Sequence, residues 1–155
     1  MIKSCLGLSQ DAVVRITKVL RFDKIVNECD FYHWKPYYNE FNIRYYWLPN
    51  TYYNIYHNLN LVGVGGLHKL KRDRVFLMRG CYIFPQYRKR HLLINSKSVH
   101  HHSIEFRINL AKENGAKTLW VRCNKNSINN YKEHGFELTL DNGKQYLPLC
   151  LNLTD

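Results

Sequence analysis

Acidic residues are few. Twelve Asp and Glu stand against 23 Lys and Arg, which leaves a formal charge of +11. Such a field attracts polyanions: nucleic acid, an anionic membrane face or a phosphorylated cofactor. No run approaches the ~20 uninterrupted apolar residues of a membrane span, and the opening stretch MIKSCLGLSQDAVV lacks the apolar core of a secretory signal. These absences argue against a membrane partner and lead us to expect a soluble chain in the cytoplasm. Cysteine motifs are missing too. Cys5, Cys29, Cys81, Cys123 and Cys150 are odd in number, far apart and free of any CxxC spacing, which excludes a disulfide framework or a zinc ribbon and fits reduced thiols. Neither an internal repeat nor a low-complexity linker interrupts the chain.

What is there fits one folded unit. The 155 residues are 45% apolar and 23% charged, close to globular averages, so wholesale disorder is excluded. A single domain over residues 1–155 is expected, large enough to bury roughly two thirds of its unfolded surface. The abundance of Asn, Lys, Ile and Tyr suggests an A/T-rich coding sequence of the kind many phages carry. Part of the basic charge can therefore be codon drift.

From Asp11 to Glu28 the apolar positions Val13, Val14, Ile16, Val19, Leu20, Ile25 and Val26 recur at mixed three and four spacings, which predicts one or two helices capped by Ser9 or Asp11. Phe31 to Tyr56 holds twelve of the 22 aromatics and is broken by Pro36 and Pro49. It reads as loop and short helix, then a strand from about Tyr52 to His57. Leu61–Leu70 is a strand whose Gly63, Gly65 and Gly66 leave room for close approach. Lys71–Arg74 is a hairpin tip and Val75–Phe84 a buried strand ended by Pro85. A long helix is expected from about Ile94 to Asn114, with Gly115 as its stop. A strand over Thr118–Cys123 follows, then a short helix over Ser127–His134 closed by Gly135. Phe136 to Leu140 and Tyr146 to Leu153 form a hairpin around Asn142-Gly143, with Pro148 arguing for an edge position or a bulge. The fold class is therefore mixed α/β. A right-handed crossover makes the Val75 and Thr118 strands parallel neighbours in an otherwise antiparallel sheet.

Chemistry is expected at that crossover, because unpaired N–H groups and the dipole at a helix start favour phosphate. The junction reads Ile83-Phe84-Pro85-Gln86-Tyr87-Arg88-Lys89-Arg90-His91-Leu92-Leu93. Between His68 and His91, Lys69, Lys71, Arg72, Arg74, Arg79, Arg88, Lys89 and Arg90 face one acid, Asp73. A solvated basic face and a polyanion contact both fit.

Asn124 to Phe136, NKNSINNYKEHGF, resembles the GNAT superfamily of acyl-CoA-dependent N-acetyltransferases. Asn124, Ser127, Ile128, Tyr131, Gly135 and Phe136 fall in the family's register. Ile83-Phe84-Pro85 with Tyr87-Arg88 looks like the strand end that opens the family's pyrophosphate loop. The likeness spans about Leu61 to Leu153. It implies a central, mostly antiparallel sheet with one parallel pair splayed around a cofactor cleft, with residues 1–60 on the acceptor side and 61–153 on the cofactor side. It implies attack by a substrate amine on the thioester of acetyl-CoA. The backbone of Tyr82 and Ile83 would hold the pantetheine arm, Asn124 and Ser127 would contact the cofactor, and Tyr131 would be the general acid. The sequence departs from the family where the loop wants small residues: His91 and Leu93 stand there. Arg88, Lys89, Arg90, His91 and Leu92 would then line the phosphates, with cations replacing backbone donors. No general base is assigned; Glu40, His57 and His68 are weak candidates.

Other residues have simpler roles. Consecutive His100, His101 and His102 diverge by about 100° on a helix, and no histidine follows at i+4, so no metal is expected. Cys81 and Cys123 read as small buried hydrophobes. Trp34, Tyr37, Tyr45 and Trp47 are the candidate acceptor contacts, against a plain sheet-covering role. Two functions stay open: an N-acetyltransferase acting on an unidentified primary amine, or a GNAT-fold nucleic-acid module that has lost acetyl-CoA. Monomer and homodimer are both compatible.

Overall fold

The computed structural model describes residues 20–140, 143 and 146–153. Most of the helix expected from Asp11 lies outside the described residues, and its last part is not helical. Leu20–Lys24 is a strand, β1, in which Leu20 and Phe22 turn inward while Arg21 stays exposed. That is a period of two, not 3.6. Glu28–Phe31 (α1), a 3₁₀ turn over Tyr32–Trp34 and Lys35–Glu40 (α2) follow. Then come β2 (Tyr52–His57), β3 (Asn60–Lys69) and β4 (Val75–Ile83). A long helix, α3 (Val99–Glu113), leads to β5 (Thr118–Asn124), the short α4 (Ile128–Lys132), β6 (Glu137–Leu138) and β7 (Tyr146–Asn152).

One sheet carries all seven strands in the order β1-β2-β3-β4-β5-β7-β6. Every neighbouring pair is antiparallel except β4 and β5. The mixed α/β class and the single parallel pair are as expected; β1 adds a fourth strand to the predicted meander.

Two corrections have local causes. The long helix starts at Val99, not Ile94, because Ile94 pairs with Lys97 across a tight turn whose Asn95 and Ser96 have φ of 51° and 68°. Ile94 is buried with Ile55, Val62, Ile83 and Val99, so an apolar anchor outside the helix imitated its periodicity. Ser98 is the N-cap, its hydroxyl accepting from the His101 N–H at 3.0 Å. Pro148 lies neither at an edge nor in a bulge, since β7 runs between β5 and β6 in unbroken register. Its carbonyl accepts from Thr139 N–H at 3.1 Å, so its nitrogen also points toward β6, just where that two-residue strand ends. No ladder donor is lost on the β5 side. In the hairpin itself Gly143 has φ +70°, and Asn142 lies outside the described residues.

The core is split. Leu67, Phe76, Met78, Ile104, Leu119 and Leu149 belong to a mostly aliphatic cluster between α3 and the sheet. Phe31, Trp34, Tyr38, Tyr52, Val64 and Tyr82 form an aromatic one under α1 and α2. Phe31 and Tyr52 lie 4.3 Å apart between ring centroids, and such pairs add about 0.5–1.5 kcal/mol beyond area burial. The glycines of β3 make this possible: a Cβ on Gly66 would lie 2.9 Å from the Tyr52 ring. The aromatic belt is thus mainly a lid on the sheet.

Candidate active site

The parallel pair is zipped at one end and open at the other. Val75, Phe76, Leu77 and Met78 pair with Thr118, Leu119, Trp120 and Val121, and pairing stops there. β4 runs on to Ile83 and β5 to Asn124 without further pairing to each other. The cause is a bulge in β4. Val64 pairs with Tyr82 and Gly66 with Arg79, so Gly80 and Cys81 together oppose the single residue Gly65. Gly80 has φ +60°, and its carbonyl accepts from the Tyr38 hydroxyl at 2.6 Å. A bulged strand bends and twists more strongly, which carries β4 away from β5. A cleft of about 510 Å³ fills the gap, lined among others by Tyr82, Ile83, Arg88, Asn124 and Tyr131.

Tyr82, Ile83, Arg88, Lys89, Asn124, Ser127 and Tyr131, expected at the site from sequence, all line this cleft. Arg88 Nε donates to the Ile83 carbonyl at 2.8 Å, and its guanidinium lies over the Tyr82 ring. The Asn124 Oδ1 accepts from the Ser127 N–H at 3.0 Å, so Asn124 also shapes the turn into α4.

Arg90, His91 and Leu92 do not line it. The chain turns back at Arg88, whose carbonyl accepts from the His91 and Leu92 N–H groups, and turns again at Ile94–Lys97 before α3 begins. Arg90 and His91 are exposed, while Leu92 packs against the Ile55 and Ile83 cluster. The N-terminus of α3 instead reaches the cleft through Ser98 and His100. His91 and Leu93, which stand where the family's loop has small residues, are not at the helix start and do not line the cleft.

The aromatic candidates are also placed elsewhere. Trp34 is fully buried and its indole N–H donates to Asn54 Oδ1 at 2.8 Å, so it is core. Tyr37, Tyr45 and Trp47 pack against the same aromatic cluster. Phe41 and Tyr146 reach the cleft instead, and the Tyr146 hydroxyl donates to the Phe41 carbonyl at 3.2 Å across its mouth. Glu40, His57 and His68, the weak candidates for a base, are not among the cleft-lining residues.

Two residues that the sequence did not single out as site residues dominate the interior. Arg107 on α3 is 1% exposed, and neither of its terminal nitrogens has a hydrogen-bond partner among the described residues. It fits because β3 has a glycine beneath it: a Cβ on Gly65 would lie 3.3 Å from Arg107 Nε. His100 Nε2 lies 3.3 Å from the Tyr131 hydroxyl, and its Nδ1 lies 3.2 Å from Asn130 Nδ2. With the Asn130 amide donating to Nδ1, the proton on Nε2 is directed at the Tyr131 hydroxyl oxygen.

Buried charge sets the protonation states. Burial raises the Tyr131 pKa, against the nearby Arg107 guanidinium, so the phenol is protonated through neutral pH. Burial alone would push the Cys81 thiol up. The Arg107 guanidinium, and then His100, outweigh it and bring it down to about 6, which sets Cys81 beside a guanidinium whose Nε donates to the Ser103 carbonyl at 3.2 Å. Cys123, buried without such partners, is pushed up to about 11. Among the cations of the basic run, Arg74 Nε donates to the Gly115 carbonyl at 2.7 Å and Arg79 lies over the Tyr46 ring.

No protein-family model matches the chain, and no curated protein is similar to it in sequence. Solved structures are similar in fold. An N-acetylglutamate synthase from Neisseria gonorrhoeae, complexed with coenzyme A and N-acetyl-glutamate, superposes with a TM-score of 0.63 at 13% identity over 88% of this chain. The chain spans only 35% of that protein's length. A Bacillus subtilis acetyltransferase in complex with CoA gives 0.58 at 18% identity, over 87% of this chain and 98% of the other. A Mycobacterium tuberculosis protein, also in complex with CoA, gives 0.64 at 13% identity, over 88% and 99%. With its bulged β4, its splayed parallel pair and these likenesses, the chain has the GNAT fold.

Proposed function

We propose that the chain is an N-acetyltransferase that moves the acetyl group of acetyl-CoA onto a primary amine. The observation that carries this reading is the open end of the β4–β5 pair, with a protonated tyrosine inside it. CoA-bound acetyltransferases of the same fold support it.

Strand ends that have lost their partner offer unpaired backbone groups to an extended chain. With the Ile83 carbonyl taken by Arg88 Nε, backbone N–H groups at Tyr82 and Ile83 on β4 would meet the amide-bearing pantetheine arm and polarise the thioester carbonyl. Arg88, Lys89 and the N-terminal N–H groups of α3 at Ser98 would meet the phosphates, and Asn124 and Ser127 would flank the arm from β5.

The amine nitrogen attacks the thioester carbon, the C–S bond breaks, and the departing thiolate takes the proton of Tyr131. The amine releases its own proton to water. A phenol with a raised pKa gives up that proton only if the charge left behind is met. Arg107 and the His100 Nε2–H supply that compensation, which makes them positioning residues for the acid. Phe41 and Tyr146 at the mouth would shape the acceptor side.

The test is an acyl-transfer assay with acetyl-CoA over a panel of amines, nucleosides and peptides. Turnover on at least one primary amine, lost in Tyr131→Phe with cofactor affinity retained, is the expected result. Equal turnover by Tyr131→Phe would remove the tyrosine as acid.

A further inference from the structure

Behind the cleft, three side chains converge from α3 and the end of α4. His101 and Glu105 sit one helical turn apart on α3, with His101 Nε2 3.4 Å from Glu105 Oε2. The His134 ring, just past α4, lies against His101 with centroids 4.3 Å apart. One ligand atom from each of the three lies within 4.8 Å of the others. We propose that His101, Glu105 and His134 form a binding site for a divalent transition-metal ion of the zinc type, bridging α3 to α4.

The arrangement is not explained by an ion pair alone. His134 Nδ1 lies 2.9 Å from the Asn130 carbonyl, which fixes the ring proton there and leaves Nε2 as a bare lone pair. That Nε2 is shut off from solvent and has no hydrogen-bond partner among the described residues. A buried acceptor with no donor is costly; an added electrophile relieves it.

Size and ligand type select the ion. Metal bonds of about 2.0–2.1 Å in tetrahedral geometry separate ligand atoms by about 3.3 Å, and the His101–Glu105 distance already matches that. Two imidazoles and one carboxylate suit zinc, with water in the fourth position, whereas Mg²⁺ and Ca²⁺ want more oxygen. The Asn130 carbonyl acts as the outer partner that orients the His134 ligand. Asn130 and His100, the neighbour of His101, are also the residues bonded to each other beside Tyr131, so a metal here would hold together the two helices that position that hydroxyl. Ion binding itself does not depend on the acyl-transfer reading.

The experiment is titration of the chelator-treated full chain with Zn²⁺ by calorimetry, and with Co²⁺ by absorption. We expect one ion per chain, four-coordinate Co²⁺ bands, and a rise in Tm of roughly 5–10 °C at a hundredfold excess over Kd. His134→Gln and the more exposed Glu105→Gln should each weaken binding at least tenfold and abolish the Tm rise. No one-to-one binding below about 100 µM, or equal affinity in both variants while they remain folded, would overturn the site.

Discussion

The two ends of the β4–β5 pair use the same backbone for opposite purposes. At the zipped end Phe76, Met78, Leu119 and Val121 are all buried in one hydrophobic cluster, and each strand satisfies the other's N–H and C=O groups. At the open end the strands part, and the space holds ionisable groups: Cys81, His100, Arg107 and Tyr131. One glycine separates the regimes, since the bulge at Gly80 is where pairing stops. A sheet can thus keep its stability at one end and give up backbone pairing at the other.

The largest effect expected is chemical and confined to the open end. Tyr131→Phe should lower turnover by about 10²–10⁴, the usual contribution of a general acid, with acetyl-CoA affinity within twofold of wild type by calorimetry. At the zipped end the expectation reverses. Leu119→Ala should cost about 2–5 kcal/mol in denaturant unfolding and leave the turnover of the folded fraction unchanged. Gly80→Ala tests the boundary itself. The residue has φ +60° and a Cβ would meet the Tyr52 ring at 2.9 Å, so stability should fall by about 1–3 kcal/mol and acetyl-CoA affinity should fall with it. An unaffected affinity would separate the bulge from the cleft.

A pH profile sharpens the same contrast. Cys81, with its thiol brought down to about 6, should react with iodoacetamide at half-maximal rate near that pH, and Arg107→Met should move the midpoint upward. The folded value lies below that of a free thiol, so the associated stability is present at alkaline pH and is lost as pH falls through about 6. Cys123, raised by burial to about 11, should stay inert throughout. Tyr131, raised as well, should give no alkaline loss of activity up to about pH 10, the ordinary tyrosine value.

The crossover was legible because its signals agree: an apolar strand, a long helix stopped by Gly115 at φ +82°, then a second apolar strand. The motif from Asn124 to Phe136 put Tyr131 in the cleft for the same local reason. The features missed depend on tertiary contact. Gly80 inside a strand was a usable bulge signal, but nothing local says that Gly65 makes room for Arg107. Nor does any local pattern bring His134, in the turn just past α4, against His101 and Glu105 on α3. Trp34 looked like an acceptor contact because aromatic content alone cannot distinguish a pocket wall from the lid on a sheet.

The central claim is that the open end receives acetyl-CoA, and calorimetric titration of the wild-type chain tests it most directly. The account predicts a Kd in roughly the micromolar range typical of enzyme substrates, weakened at least tenfold in the double variant Arg88→Ala, Lys89→Ala, with bound acetyl-CoA protecting Cys81 from alkylation. Absence of binding at millimolar acetyl-CoA, with the chain folded, would contradict it.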